Sequence, residues 1–509
     1  MAEFRTAVAV GVGWTAAQKW LVRIAGVLTF VVLSRLLGPA DIGLVALALA
    51  FLGVLGVVAD LGAATFLVQT RSWDERTRST TFWTTLALSL AATGLVVVLA
   101  SPLAGLLGEP RLAPVFQALA PILVLSVTSA VPSAILQREL RFRELALREM
   151  AAGLLSAAVG VALALAGAGV WALVGQSGTQ ALVSAVLVWR MSAWRPTRQV
   201  SREAFAELRR FGGPVLAVNV LQSVRDRLEQ FLLGALLGVT ALGYWTVAVR
   251  LLALLVDVSV AVLDSVALPV FAAARTSADR FRRAFEYALS ATQVLLVPAL
   301  ALLAVASPVL LPWLFGAQWD ASIPPAQVLC LAYGIAGLGY FNRAALLSHG
   351  RSGVELALTA ASLTVHLALV VLVAPLGLTA LAWAFAGEAV FTVLLGAVTL
   401  RGALGIGPAT WGRPSLVVGG GLLAVAAALG AMRALSLGPV AGVVTGGAVT
   451  VVVLGLGLWL TNAPLLRQLA DDVGRLRGRG REVVDGERAD EPGGDAGPER
   501  VRGDVGAHQ

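Results

Sequence analysis

The stretch Ser34-Arg-Leu-Leu-Gly-Pro-Ala-Asp-Ile-Gly43 separates two long apolar runs near the start of the chain, Trp14–Leu37 and Ile42–Leu67. Gly38 and Pro39 predict a break between these runs, because proline cannot continue a helix and glycine tolerates the turn. Each run is long enough to cross a bilayer as a helix. The stretch therefore predicts a hairpin of two membrane helices.

The same pattern returns 200 positions later as Gly234-Ala-Leu-Leu-Gly-Val-Thr-Ala-Leu-Gly243. The identical positions, aligned without a gap, are Leu36, Leu37, Gly38, Gly43 and Ala48 against Leu236, Leu237, Gly238, Gly243 and Ala248. We interpret the repeat as one such hairpin in each half of the chain, with a cavity enclosed between the halves.

The composition is that of a membrane protein. The chain is 58% hydrophobic and 13% charged, whereas globular domains average about 45–50% apolar and about 25% charged residues. Spans in lipid have to be helices or a closed barrel, because every backbone group must be paired internally. Near-continuous apolar runs such as Leu86–Leu99 and Val451–Leu460 favour helices over alternating barrel strands. We therefore expect an all-α polytopic membrane protein.

Fourteen apolar runs predict transmembrane helices. They are 12–37, 41–68, 81–107, 114–136, 147–167, 169–189, 211–237, 240–272, 287–314, 324–347, 354–374, 378–400, 415–432 and 438–461. The repeat groups the first twelve into two pseudo-symmetric six-helix lobes around a central cavity. The predicted organisation is an N-terminal lobe (1–189), a cytoplasmic linker with an amphipathic helix (190–210), a C-terminal lobe (211–400), two additional helices (414–461) and a tail, basic and then disordered (462–509).

Arginine is concentrated in alternate loops, which indicates the orientation of the helices. Every loop with several arginines falls on the same side as both termini, whereas the other side has only Arg35, Arg111 and Arg433. We expect the arginine-rich side and both termini to be cytoplasmic. This interpretation also accounts for the net charge of +8 without a nucleic-acid partner.

Ionisable side chains within the predicted spans define the candidate site. Each costs at least about 2.5–3.5 kcal/mol to insert, so such residues usually face a cavity. The predicted substrate-binding cations of a cationic cavity are Lys19, Arg23, Arg225 and Arg250. The carboxylates predicted to couple an ion or to pair with these cations are Asp60, Asp226, Glu229, Asp257 and Glu388. Arginine binds phosphate through two parallel hydrogen bonds, so the cations favour an anionic ligand.

Two alternatives stay open for individual residues. Lys19 fits a side chain that reaches the membrane surface as well as it fits a cavity position. His366 and Glu388 lie in the middle of their spans and fit a structural hydrogen bond as well as a cavity position.

Several chemistries are excluded by missing motifs. A Walker A loop needs Gly-Lys, but the single lysine follows Gln18. No Gly-x-Ser-x-Gly nucleophile elbow is present. Cys330 is the single cysteine, which rules out an intrachain disulfide or a multi-cysteine metal site. We expect a transporter without catalytic residues, metal or cofactor, and not an enzyme.

At Ser34–Gln69 the sequence SRLLGPADIGLVALALAFLGVLGVVADLGAATFLVQ resembles the N-terminal signature of bacterial polysaccharide exporters of the multidrug/oligosaccharidyl-lipid/polysaccharide exporter superfamily. The stretch Ala130–Val174, AVPSAILQRELRFRELALREMAAGLLSAAVGVALALAGAGVWALV, is similar to the subgroup that exports colanic and teichuronic acids. The resemblance covers about Trp14–Leu400.

The resemblance implies a flippase of the bacterial inner membrane that rocks about the 190–210 linker. It would move undecaprenyl-diphosphate-linked oligosaccharide from the cytoplasmic to the outer leaflet by alternating access. The expected partners are this lipid-linked substrate and membrane lipids, with a polysaccharide polymerase and glycosyltransferases as candidates. Two alternatives remain: a cation-coupled exporter of small molecules or drugs on the same fold, and a nontransporting scaffold for polysaccharide assembly.

Overall fold

A computed structural model of the chain describes residues 20–70, 73–435, 438 and 440–459. Side chains are not described at residues 69, 211–224, 226, 254, 257–266 and 433. The described backbone consists of helices and turns without a strand, and twelve of its segments are long and apolar enough to cross a membrane. The predicted all-α polytopic membrane fold is therefore confirmed.

The helices are numbered here in chain order. They are α1 (20–36), α2 (Pro39–Asp60), α3 (Ala63–Gln69), α4 (Glu75–Leu106), α5 (Leu112–Leu119), α6 (Pro121–Arg138), α7 (Phe142–Leu165), α8 (Val170–Met191), α9 (Arg202–Ala274), α10 (Ala278–Phe315), α11 (Ile323–Ala336), α12 (Asn342–Ser348), α13 (Ser352–Val373), α14 (Leu378–Leu404), α15 (Gly412–Ala434) and α16 (Val440–Trp459). Short 3-10 helices occur at Ala317–Ser322, Gly337–Gly339, Ala374–Leu376 and Pro408–Trp411.

The chain divides into two compact units, Met1–Leu454 and Gly455–Gln509, and every contact discussed below lies within the first. The predicted tail, 462–509, lies outside the described residues. The count of fourteen spans stays a prediction. The first predicted span is described only from residue 20, and the seventh and eighth are joined in α9, where the qualifying segment is Arg227–Ala253.

Both predicted turns lie where the sequence indicates. Gly38 is the N-cap residue of α2 and Pro39 is its first residue. Proline is well tolerated there, because a backbone N–H at the first helical position would have no partner within the helix. Gly238 interrupts α9 with φ +83° and ψ 167°, a conformation that residues with a side chain rarely adopt. The interruption makes α9 two helices, 202–237 and 239–274.

The two turns pack against each other reciprocally. A β-carbon added to Gly43 would lie 1.7 Å from the carbonyl oxygen of Val239, and one added to Gly243 would lie 2.0 Å from the carbonyl oxygen of Pro39. Residues 39 and 239, like 43 and 243, occupy equivalent positions of the sequence repeat. The crossing of α2 with α9 at these four residues, called here the glycine crossing, therefore has the symmetry of the repeat.

The end of α1 beside the glycine crossing is bonded to the end of α10. The Arg35 guanidinium donates to the carbonyl oxygens of Trp313 and Leu314, the second at 2.8 Å. The indole of Trp319 donates to the Ser34 carbonyl oxygen at 2.8 Å. These bonds satisfy carbonyl groups at two helix ends that would otherwise lack partners.

The helix that begins in the predicted linker extends into the seventh predicted span. Ser201 is the N-cap, with its hydroxyl accepting from the backbone N–H of Ala204. Ala204 and Leu208 are buried whereas Arg209 is exposed, so this first part of α9 is amphipathic. The helix then continues without a break to residue 237, because no residue between 210 and 238 departs from helical geometry.

The extended segment before α9 is bonded to α4. The backbone N–H of Thr197 donates to the Ser79 hydroxyl at 3.0 Å, and its carbonyl oxygen accepts from the Trp83 indole at 2.8 Å. The Trp194 ring packs on Phe82 with centroids 5.8 Å apart. This half of the linker is thus held on α4, and a hinge within it would require these contacts to break.

We expect Asp74→Ala to lower the free energy of unfolding by about 0.5–2 kcal/mol. Asp74 is the N-cap of α4, and hydrogen bonds from Thr77, at 2.9 Å for the backbone N–H, hold the pKa of the Asp74 carboxyl below its usual range. The stabilisation is present above the ordinary pKa and is lost as pH falls through the lowered one. Thermal unfolding in detergent at pH 7 should show the loss for Asp74→Ala and little change for Asp74→Asn, which keeps an acceptor.

Candidate functional site

Four polar side chains from three helices meet in the structure. Arg225 and Glu229 lie one turn apart on α9, His366 lies in the middle of α13, and Glu388 lies in α14. His366 and Glu388 are only 1% and 4% exposed, in predominantly apolar helices. We call these four residues the histidine cluster.

The imidazole of His366 lies between the two carboxylates. Its Nδ1 atom is 2.7 Å from Glu388 Oε2, and its Nε2 atom is 3.1 Å from Glu229 Oε2. The Arg225 guanidinium donates to Glu388 Oε1 at 3.0 Å and is 3.4 Å from His366 Nδ1. The indole N–H of Trp245 donates to Glu229 Oε1 at 2.7 Å and so positions the Glu229 carboxylate.

The contacts of His366 determine how many protons the cluster holds. A short contact between a ring nitrogen and a carboxylate oxygen needs a proton between them, and neutral imidazole carries one such proton whereas imidazolium carries two. With both contacts made, the three groups hold the imidazolium, or neutral imidazole and one carboxylic acid. Together with Arg225 this state has no net charge, and the release of one proton makes it negative.

The histidine cluster lines a cavity of about 400 Å³. The remaining wall is mostly apolar and aromatic, including Tyr333, Tyr340 and Phe385. Arg225 lines this space while bonded to Glu388, and 44% of its side chain is exposed. Because two carboxylates face one guanidinium, the cavity does not have the excess positive charge that an anion site needs.

A second cavity, of about 300 Å³, is lined from α1, α2, α7, α8 and α9. Its cation is Arg250, whose guanidinium carbon lies 4.4 Å from the centroid of the Phe30 ring. No carboxylate is among the described residues that line it, and its other polar groups are hydroxyls and amides, namely Ser156, Gln176, Ser177, Gln180 and Thr246. This cavity, called here the Arg250 cavity, has the charge expected of an anion site.

The predicted cations are therefore not brought together in one place. Arg250 lies in a positive cavity, but Arg225 is paired in the histidine cluster. Arg23 is partly buried on α1, and neither of the two cavities described above includes it. Lys19 lies outside the described residues.

The predicted carboxylates also separate into groups. Glu229 and Glu388 meet at His366 as described above. Asp60 ends α2, and its carboxylate accepts hydrogen bonds from the backbone of Gly62 and Ala63, which is a local role in the turn to α3. The side chains of Asp226 and Asp257 lie outside the described part of the structure.

Sequence reasoning missed the neutral polar face of α8. Gln176 and Gln180 are four residues apart within a predicted span, a spacing that places both on one side of a helix. This signal was visible in the sequence, but a search restricted to ionisable residues passes over amides. The pairing of Glu388 with residues on α9 could not be found in this way, because it depends on tertiary packing.

The chain is similar to known proteins over much of its length. A family model described as "Polysaccharide biosynthesis protein" matches residues 32–324. The succinoglycan biosynthesis transport protein ExoT of Rhizobium meliloti is 29% identical over 325 residues, which are 64% of this chain and 66% of that protein. The teichuronic acid biosynthesis protein TuaB of Bacillus subtilis is 23% identical over 392 residues, which are 76% of this chain and 80% of that protein.

Solved structures give the same fold. The lipid II flippase MurJ, in an inward closed conformation, superposes with a TM-score of 0.70 at 13% sequence identity, over 87% of this chain and 98% of that one. At this identity the likeness establishes the helical architecture. The match to ExoT leaves about a third of that protein uncovered.

Proposed function

Because this chain belongs to the polysaccharide biosynthesis protein family, as its sequence predicted, we propose that it is a flippase for undecaprenyl-diphosphate-linked oligosaccharide. It moves the lipid from the cytoplasmic to the outer leaflet of a bacterial inner membrane and performs no chemical step on it. Glycosyltransferases that supply the lipid and a polymerase that consumes it are the partners this activity implies. The observation that carries the proposal is the Arg250 cavity, a space inside a multi-pass membrane protein whose described lining residues include an arginine and no carboxylate.

Arg250 binds the diphosphate in this proposal. Its guanidinium lies on the Phe30 ring, which holds the planar group in place by a cation–π contact while its N–H donors remain available. No carboxylate among the described lining residues pairs with Arg250, and a phosphate ligand supplies an opposite charge. Lys19 and Arg23 of the first span serve as further cations along the path of the lipid.

The orientation follows from the loop arginines. We place both termini and the arginine-rich loops in the cytoplasm, which puts the glycine crossing at the outer end of the protein. The crossing and the bonds of Arg35 then close the outer side of the cavities. Flipping requires α2 and α9 to separate there, with the prenyl tail remaining in lipid throughout.

The histidine cluster couples this motion to protons. It holds an exchangeable proton next to a cavity, and Glu229 and Arg225 lie on the same helix that crosses α2. A proton is favoured over sodium because the carboxylate oxygens already have partners: the Arg225 guanidinium donates to Glu388, and the His366 ring lies between Glu388 and Glu229. Proton entry through Glu229, His366 and Glu388 drives the return of the empty carrier.

We expect Arg250→Gln to reduce flipping at least about tenfold, because loss of a charge-assisted bond costs about 1.5–3 kcal/mol. The assay uses purified protein in proteoliposomes and follows the outward movement of an undecaprenyl-diphosphate-linked disaccharide. Arg250→Lys should retain part of the activity, since it keeps the charge without the two parallel donors. The matched control is Arg209→Gln, at an exposed arginine outside both cavities.

Full activity of Arg250→Gln would refute the role of the Arg250 cavity. Wild-type protein that moves organic cations but no lipid-linked sugar would instead identify a cation-coupled exporter. A chain that moves neither, yet is required for polysaccharide assembly in cells, would identify a scaffold.

A further inference from the structure

The middle of α8 presents a face of neutral polar groups to the Arg250 cavity. Gln176, Ser177 and Gln180 are all half-buried, and all three line the cavity. The face lies near the centre of Val170–Met191, a helix apolar enough to span the membrane. Amides at such a depth are costly in hydrocarbon unless they find hydrogen-bond partners.

Only part of this demand is met within the described protein. The Ser156 hydroxyl of α7 lies 2.8 Å from the Gln180 amide and 2.9 Å from the Gly153 carbonyl oxygen, and its single proton can be donated to only one of them. Ser156 is the single hydrogen-bond partner of the Gln180 amide among the described residues, and the Gln176 amide has none there. Polar residues that served only to join α7 to α8 would be paired with each other.

The neighbouring backbone makes room for these amides. Gly160 of α7 lies opposite Gln176, and a β-carbon at residue 160 would come within 3.0 Å of the Gln176 β-carbon. The glycine lets α8 approach α7 closely while the Gln176 side chain borders the cavity. The polar face of α8 and Arg250 of α9 line the same cavity.

We propose that this face binds the sugar ring attached directly to the diphosphate, and this rests on the flippase function proposed above. Amides and hydroxyls both donate and accept hydrogen bonds, as sugar hydroxyls do, and none of them carries a charge. A cavity of about 300 Å³ is at the lower end for a ligand site, which fits one ring and its phosphate but not a whole oligosaccharide. The substrate class is thus a prenyl diphosphate whose first sugar is uncharged and has free hydroxyls.

The test compares two lipids in the same proteoliposomes, undecaprenyl diphosphate without a sugar and undecaprenyl diphosphate bearing a neutral disaccharide. The double variant Gln176→Met/Gln180→Met replaces both amides with side chains of similar length that cannot donate. We expect flipping of the disaccharide lipid to fall about tenfold and flipping of the bare lipid to stay within twofold of wild type. Gln117→Met, the same change at an exposed residue of α5, should affect neither lipid.

Other results of this comparison would overturn either the sugar site or the flippase function. Equal flipping of both lipids by the double variant and wild type would overturn the sugar site. An equal loss for both lipids would also overturn it, because the amides would then act on the fold or on the diphosphate. Failure of wild-type protein to flip either lipid would reject the flippase function itself, separately from the sugar site.

Discussion

Gly43→Ala is expected to hold the glycine crossing open and to abolish net flipping. The added β-carbon would lie 1.7 Å from the Val239 carbonyl oxygen and 2.8 Å from the Gly243 nitrogen. Both neighbours are backbone atoms, so no rotamer change relieves the clash and the two helices have to separate. Overpacking of this kind costs about 1–3 kcal/mol, which shifts a two-state equilibrium by about 5- to 150-fold.

The separation can be measured with a cysteine reporter at Thr246, which lines the Arg250 cavity, in a chain whose buried Cys330 is replaced by alanine. A membrane-impermeant maleimide added outside should label the reporter faster in Gly43→Ala than in the parent. The control is Gly56→Ala on the same helix, where the new β-carbon meets only Leu123 Cδ2 at an ordinary 3.5 Å. Unchanged labelling together with normal flipping in Gly43→Ala would refute the role of the crossing.

The turns were predictable because their signals are local. Gly38 followed by Pro39 is a local signal that usually ends a helix, and the repeat at Gly238 identified the corresponding break without knowledge of tertiary structure. The packing of Gly43 on Val239 was not predictable, because it joins positions about 200 residues apart. The sequence repeat identifies equivalent positions in the two hairpins, but it does not indicate that the two hairpins contact each other at these positions.

The sequence indicated some of the ionisable residues that border cavities, but not which of them lie together. Arg225, Glu229, Arg250 and Glu388 stand out as ionisable residues in apolar spans, and each lines a cavity. Their partition into a paired cluster and a positive cavity depends on which helices are neighbours, since Glu388 is bonded to a residue 163 positions away. A single cationic cavity was therefore the natural prediction, and the structure divides it in two.

The start of the helix in the 190–210 linker was predictable from the sequence, but its continuation into the next span was not. Ser201 was recognisable as an N-cap from its side chain and from the amphipathic residues that follow. The continuity of this helix with the next span was not, because Gly212, Gly213 and Pro214 are residues that usually end helices. The sequence is helical there nonetheless, and propensity alone does not determine the state of a residue within a membrane helix.

Glu388→Gln is expected to remove the response of flipping to a pH gradient. Glutamine keeps an oxygen that can accept a hydrogen bond from Arg225, so a neutral hydrogen bond replaces the ion pair. Unlike the carboxylate, the glutamine amide does not take up a proton at physiological pH. His366 then has one ionisable carboxylate, Glu229, and the cluster loses one of its two proton-sharing contacts. We expect flipping under an inward proton gradient to fall at least about tenfold, to the rate without a gradient.

The measurement is flipping in proteoliposomes with a pH gradient alone, a sodium gradient alone, or neither. Wild-type protein should respond to the pH gradient only, because Arg225 lies where a sodium ion would have to approach Glu388. Glu355→Gln is the matched control, since Glu355 is a partly buried carboxylate on α13 that bonds to Thr359 instead of the cluster. Acceleration of wild-type flipping by sodium alone would show that the carboxylates bind a metal ion, and an undiminished pH response in Glu388→Gln would show that the histidine cluster is structural. These two outcomes have different structural meanings. A response to sodium requires an ion between Glu229 and Glu388, which would displace His366 or Arg225 from the contacts described. An undiminished pH response in Glu388→Gln is compatible with those contacts and removes only their role in proton coupling.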